Sequence, residues 1–279
     1  MKVIKQSAHI VKEWPKMNLY ERCEFAGRIS HASENKIKEG SAEEFVRRMV
    51  RLGHESVFEF ARIAWHGGVD PGGDYCTLLN LRGVRFCARN YFRLNGEEGE
   101  IGHALREIAQ SYPEFFSDFP EDHPIWKNQP YNPYPWRVAD DWDWIPVIII
   151  TNRAISHQLV RYRKEVVYLQ ASQRFIKFHD DVDFISPDVY FDLDDKMYSL
   201  WLASMEGAEQ DYIHCLSQGY SAQAARLFLP NSAATKLIMY ASSATWKHVF
   251  EQRISNKADP MIRELLTPLK EEFEKEKLL

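Results

Sequence analysis

The run Val147-Ile148-Ile149-Ile150, within residues 144–150, is the most apolar stretch of this chain and the strongest single constraint on its fold. A short run rich in β-branched residues, with both faces apolar, fits an interior strand. The segment just beyond it changes character abruptly. Residues 153–174 hold Arg153, Arg161, Arg163, Lys164 and Arg174 against one acid, Glu165, in a chain of formal net charge -5. A cationic segment at the end of a buried strand suggests an anion site on a rigid element, because the planar guanidinium fork matches phosphate oxygens. The competing reading is a solvated basic helix end, paired to the chain's many acids.

With 279 residues, 45% of them hydrophobic, the chain can bury a sizeable core. A net negative charge argues against binding nucleic acid over a broad surface, while leaving room for a small anion in a local basic pocket. The four cysteines, Cys23, Cys76, Cys87 and Cys215, lack CxxC or zinc-type spacing and read as reduced thiols. No apolar run approaches the roughly 20 residues that cross a bilayer, and the N-terminus lacks the apolar stretch of a secretory signal. The expectation is a soluble, cytoplasmic protein with no membrane or nucleic-acid partner.

Capping-box spacing at Ser41 to Glu44 predicts a helix over 41–52. Residues 58–65 read as a strand, and the glycines at 67–68 and 72–73 as a loop. Helices are expected at about 79–94 and 98–111. Residues 112–143, crowded with Pro124, Pro130, Pro133, Pro135, Trp126, Trp136 and Trp142, read as an ordered insertion. After the strand at 144–150, Thr151 or Asn152 is expected to cap a helix to about residue 163, which would set Gln158 and Arg161 on one face. Strand is predicted at 176–178 and 184–185. Helices are predicted at 193–217, 221–228, 233–252 and 260–277, the last from the stripe Ile262, Leu265, Leu266, Leu269 and Phe273.

Three groups of residues could bear chemistry. The run Gln170-Ala171-Ser172-Gln173-Arg174 offers a hydroxyl, a guanidinium and backbone donors that suit a phosphate; no GxSxG elbow surrounds Ser172. His54 follows a glycine and precedes a strand, a position for touching a cofactor or for a satisfied structural histidine. Arg226 precedes Pro230, and Arg253 ends a mostly apolar helix, where a cation is favourable by itself. The histidines include no HExxH, so no metal is expected.

Taken together these segments resemble the flavin-dependent thymidylate synthase family. Its signature, Arg-His-Arg, about seven residues, Ser and then Arg-Tyr, is matched by Arg161-Tyr162-Arg163, Ser172 and Arg174-Phe175. The likeness extends upstream through SHQLVRYR and the Gly53-His54-Glu55 pattern. Downstream it takes in Ala225-Arg226, Leu229-Pro230, Arg253 and Ala258 to Arg263, in the family's order over about 200 residues. The resemblance implies one α+β domain over 1–279, with a mixed or antiparallel sheet flanked by helices, assembled as a homotetramer with sites between subunits. It implies FAD as cofactor, dUMP as substrate, and NADPH and methylenetetrahydrofolate as co-substrates. The implied dUMP-binding residues are Gln158, Arg161, Gln170, Ala171, Ser172, Arg174, Arg226 and Arg253. Arg253 is also the implied catalytic residue, facing the uracil ring. The implied flavin-contact residues are His54, Arg161, Tyr162, Arg163, Gln170, Ser242 and His248.

The departures fall mainly on the flavin side. Tyr162 stands for the motif histidine, Ser242 for an asparagine, Ala244 for an arginine and Gln170 for a glutamate, and the loop before Ser172 is one residue longer. They motivate two rivals to dUMP methylation: a relative that transfers a one-carbon unit to another pyrimidine deoxynucleotide, and a non-catalytic nucleotide-binding paralogue.

Overall fold

The computed structural model describes residues 1–70, 73–95, 100–127, 136–138, 143–178 and 181–279. In chain order the elements are β1 (Lys2–Ile4), β2 (Ser7–Ile10), α1 (Leu19–Ser30), α2 (Ser41–Leu52), β3 (Arg62–Asp70), β4 (Gly73–Asn80), α3 (Leu81–Asn95) and α4 (Glu100–Ser111). They continue with β5 (Trp136–Val138), β6 (Trp144–Asn152), α5 (Arg153–Leu159), β7 (Val166–Gln170), β8 (Asp183–Ile185) and α6 (Lys196–Ser217). Last come α7 (Ala222–Ala225), β9 (Ala234–Ser242), α8 (Ser243–Arg253) and α9 (Pro260–Lys275). This is an α+β fold. Contacts divide it into two compact units, one of Met1–Lys12, Ile29–Ser33 and Trp142–Leu279, the other of Glu13–Arg28 and Glu34–Asp141.

The first unit is built on a four-stranded antiparallel sheet of order β2-β6-β9-β7. β6 is an interior strand, as its composition requires: Ile145, Val147 and Ile149 are buried on one face with Leu237, Met239 and Ala241 of β9. Helices α8 and α9 cover that face through Trp246, Val249, Phe250, Leu266, Leu269 and Phe273. Burying a side chain of this size is worth roughly 1.5–3 kcal/mol. The one polar atom on Trp246 is satisfied, its Nε1 donating to the Ile145 carbonyl at 3.0 Å.

Both central strands run directly into a helix through a side-chain cap. Asn152 ends β6 and accepts from Ile155 N, whereas Ser242 ends β9 and accepts from Thr245 N. Because the strands are antiparallel, with Asn152 opposite Ala234 and Trp144 opposite Ser242, α5 and α8 start from opposite ends of the sheet.

In the second unit, β3 pairs with β4 and β5 in an antiparallel sheet. Phe58, Phe60, Phe115 and Phe116 are fully buried there. So is Arg85, whose guanidinium bonds Glu55 at 2.8 Å and Asp118 at 3.0 Å.

Several local expectations are corrected. Residues 233–252 are not one helix: 234–242 form β9, because an apolar run flanked by β6 and β7 gains more from two ladders than from a helix. β7, missed in the sequence, supplies the second ladder. Helix α5 stops at Leu159, so Arg161 does not share a helix face with Gln158. The chain must reverse there to begin β7, and it does so with Glu165 in the left-handed region at φ 50°. Ser242 holds that conformation, its N donating to Glu165 O at 3.1 Å and its hydroxyl to the Glu165 carboxylate at 2.8 Å.

Helix α2 has the expected span but not the capping box. Gly40 is its N-cap, while the Ser41 hydroxyl donates to Glu24 at 2.7 Å. Residues 55–60 are a 3-10 helix, with strand only from Arg62 to Asp70, so Gly67 and Gly68 lie in β3. Residues 176–178 form no strand; Phe178 instead packs on Tyr212. Of the aromatic insertion, Pro130, Pro133, Pro135 and Trp142 lie outside the described residues.

Candidate functional site

Two polar clusters gather most of the sequence-predicted residues of the first unit. The first surrounds Arg253. Its Nε donates to the Tyr162 hydroxyl at 3.1 Å, and its Nη1 to Gln158 Oε1 at 3.3 Å. Gln158 Nε2 in turn donates to Asp259 Oδ2 at 3.1 Å. The other Asp259 oxygen accepts from Met261 N at 2.9 Å, capping α9, and from the Tyr190 hydroxyl. Burial, and then the bond to Asp259, push the Tyr190 pKa up to about 12, so it remains a donor at neutral pH. The Tyr162 ring meets His248 edge-on, with centroids 5.7 Å apart.

Sequence order explains the geometry. α5 presents Gln158, the reversal after it presents Tyr162, and α8 ends at Arg253. Asp259 is fixed by capping a helix whose first residue is Pro260, a residue suited to that position. A guanidinium held by two neutral acceptors keeps its full charge while its direction is fixed. That arrangement suits stabilising charge developing on a ligand.

The second cluster lies where β6 ends and β9 begins. Arg174 Nε donates to Gln223 Oε1 of α7 at 3.2 Å. Arg226 opens the 3-10 turn that follows α7. The loop beyond it is tied back to α5 by Arg153 N donating to Asn231 O at 3.0 Å. The backbone of the Gln170–Arg174 run is anchored on both sides: Ala171 N donates to Lys236 O at 2.7 Å, and Ser172 N to Ser30 O at 3.0 Å. Gln170 Nε2 is committed to Ser156 and Thr235. Gln173 Nε2 is buried without a hydrogen-bond partner. Burial, and then the nearby charge of Arg226, hold the Arg153 guanidinium below its usual pKa.

The remaining predicted residues are placed differently. Arg161 and Arg163 are exposed and make no hydrogen bond or ion pair among the described residues. Ser242 is 1% exposed and engaged by Glu165 and Thr245. His54 belongs to the second unit, after Gly53, whose φ of 66° ends α2 in a conformation glycine adopts without strain. Tyr190, Gln223 and Asp259 were not singled out in sequence as site residues, and Arg153 was noted only as part of the cationic segment. Asp259 had a legible signal, an Asp-Pro pair opening an apolar-striped helix; Tyr190 had none. Among the described residues no group of three metal-ligating side chains is present, and no helix is long and apolar enough to cross a membrane.

Comparison with known proteins bears on the same segment. Residues 146–277 match the family described as thymidylate synthase complementing protein. The flavin-dependent thymidylate synthase of Pyrococcus horikoshii is 32% identical over 131 residues, which cover 46% of this chain and 53% of that protein. That of Pyrococcus abyssi is 30% identical over 127 residues, covering 44% and 51%. That of Mycolicibacterium gilvum is 30% identical over 129 residues, covering 41% and 50%. Residues 146–277 thus resemble the flavin-dependent thymidylate synthases, in a match that covers just under half of the chain. It spans about half the length of the curated relatives it matches. Both clusters fall inside the matched segment; His54 falls outside it.

Proposed function

We propose that this protein is a flavin-dependent thymidylate synthase that methylates dUMP to dTMP, with methylenetetrahydrofolate as carbon donor and NADPH as reductant. The observation that bears most weight is Arg253, half-buried and aimed by Tyr162 and Gln158, in a segment matched to the family. In this reading Ser172, Arg174 and Arg226 hold the nucleotide phosphate, with Gln158, Gln170, Ala171 and Arg161 beside the nucleotide. Arg253 stabilises negative charge that builds on the uracil ring, acting mainly in the transition state.

The residues present fit a bound flavin in one respect. Arg161 and Arg163 are exposed cations free to meet a dinucleotide's phosphates, and the Tyr162–His248 pair offers aromatic surface. Once bound and reduced by NADPH, the flavin would supply the hydride that completes the methyl group. The work assigned to this chain is to bind the nucleotide, orient its ring and stabilise charge. The homotetramer with shared sites and the cytoplasmic location belong to the same proposal.

One observation favours the non-catalytic reading. Ser242, in a flavin-contact position, is buried and spent on its own cap and on Glu165. Titrating the purified protein with FAD while following flavin fluorescence separates the two. Saturable quenching followed by NADPH oxidation supports the synthase, whereas unquenched flavin with retained dUMP binding supports the paralogue.

A further inference from the structure

Arg153, like Arg226, is an arginine of the first unit whose charge is unaccounted for. It is half-buried, at the junction of β6 and α5, and it has neither an ion pair nor a side-chain hydrogen bond among the described residues. A guanidinium in that setting is normally paired, since its desolvation otherwise goes uncompensated. The chain has 40 acidic residues from which to draw a partner. It draws none here.

Instead three arginines from three segments are tied to α7 or to the connection between α7 and β9. Arg174 is tied to Gln223, Arg226 lies within the connection, and the backbone of Arg153 is bonded to Asn231. None of the three has a carboxylate partner among the described residues. We propose that Arg153 is a third cation of the anion site formed with Arg174 and Arg226, binding the phosphomonoester end of a nucleotide. This rests on the nucleotide-binding reading under Proposed function and adds a residue that the motif resemblance does not supply.

Two further observations agree. The charge of Arg226 is felt at Arg153, so the ligand-free protein holds like charges together at a cost that a dianion would remove. Gln173, between Ser172 and Arg174, keeps a buried amide donor without a partner. Cations without a carboxylate partner suit phosphate, whose oxygens accept several charge-assisted bonds at once.

The test uses Arg153→Gln and Arg153→Lys with dUMP, deoxyuridine and inorganic phosphate as probes, read by calorimetry and by thermal melting. Losing one charge-assisted contact weakens binding by about tenfold or more. Arg153→Gln is expected to weaken dUMP and phosphate by that factor, to leave deoxyuridine unchanged, and to melt at or above the wild-type temperature without ligand. Arg153→Lys is expected to fall between the two. Unchanged preference for dUMP over deoxyuridine in Arg153→Gln would overturn the proposal, as would a lower melting temperature in the ligand-free variant, which marks a structural role for the side chain. If the wild-type protein itself binds dUMP no better than deoxyuridine, the nucleotide reading fails along with it; if wild type discriminates and Arg153→Gln does too, only this inference fails.

Discussion

Arg253 and Tyr162 are joined twice: the arginine Nε donates to the tyrosine hydroxyl at 3.1 Å, and the guanidinium carbon lies 5.7 Å from the ring centroid. A hydrogen bond fixes direction and a ring face supplies electrostatic attraction, so the residue replacing the family's motif histidine acts here on the arginine. Tyr162→Phe keeps the ring and removes the acceptor. Turnover of dUMP should fall about tenfold, consistent with one lost charged hydrogen bond, with little change in FAD affinity. Steady-state kinetics beside FAD titration checks this; lost FAD affinity with preserved turnover would assign Tyr162 to the flavin instead.

Arg253→Lys retains the charge but loses the fork that reaches Tyr162 and Gln158 together. The core beneath it is supplied by Trp246, Val249 and Phe250 of α8, which the substitution leaves intact. Stability should therefore change by no more than about 1 kcal/mol, while turnover drops by a factor of about a hundred or more. Chemical denaturation and turnover measured on the same preparation decide it. Activity that falls only in proportion to unfolded protein would make Arg253 a helix-end cation and no more.

Arg174→Ala and Arg226→Ala should each erode the preference for dUMP over deoxyuridine by about tenfold. FAD binding should change far less. Competition calorimetry with the two ligands measures the preference directly. An unaltered preference in both variants would move the phosphate elsewhere.

The second unit has its own acid sensitivity. Burial alone would raise Glu55 and Asp118, but hydrogen bonds from Arg89 and Arg85 outweigh it and hold both carboxyls below the ordinary range. A depressed folded pKa means stability that is complete above the unfolded value of about 4 and is lost as pH falls below it. Melting temperature should drop steeply below about pH 4 in the wild type and less steeply in a Glu55→Gln, Asp118→Asn double variant. Parallel curves would show that the cluster contributes nothing in acid. Arg85→Met at neutral pH should destabilise by about 3 kcal/mol, the low end for a broken buried pair, since Arg89 still serves both carboxyls.

The parts of the fold legible in sequence were those with unambiguous period or composition. The interior strand β6, the Asn152 cap and the stripe of α9 follow from their residues directly. β9 was not legible as a strand, because Leu237 to Ala241 is buried on both faces and shows neither period. The helix α8 follows it with no glycine or proline between them. At the candidate site, Arg253, Gln158 and Tyr162 were recognisable by motif, and the structure joins them. Their common support through Asp259 and Tyr190 depends on contacts 101 and 69 residues apart in sequence, which no local pattern encodes. Arg153 was visible as charge, but the pairing that brings the end of β6 beside the start of β9 is long-range, and no local pattern encodes it.

The central claim is methylation of dUMP, and its most direct test is the mass of the nucleotide recovered after incubating FAD-loaded protein with dUMP, NADPH and methylenetetrahydrofolate. The expected product is heavier than dUMP by one carbon and two hydrogens, with none formed by Arg253→Lys over the same interval. Recovery of unchanged dUMP from folded protein shown to hold both FAD and the nucleotide would contradict it, as would a one-carbon product formed from dCMP alone.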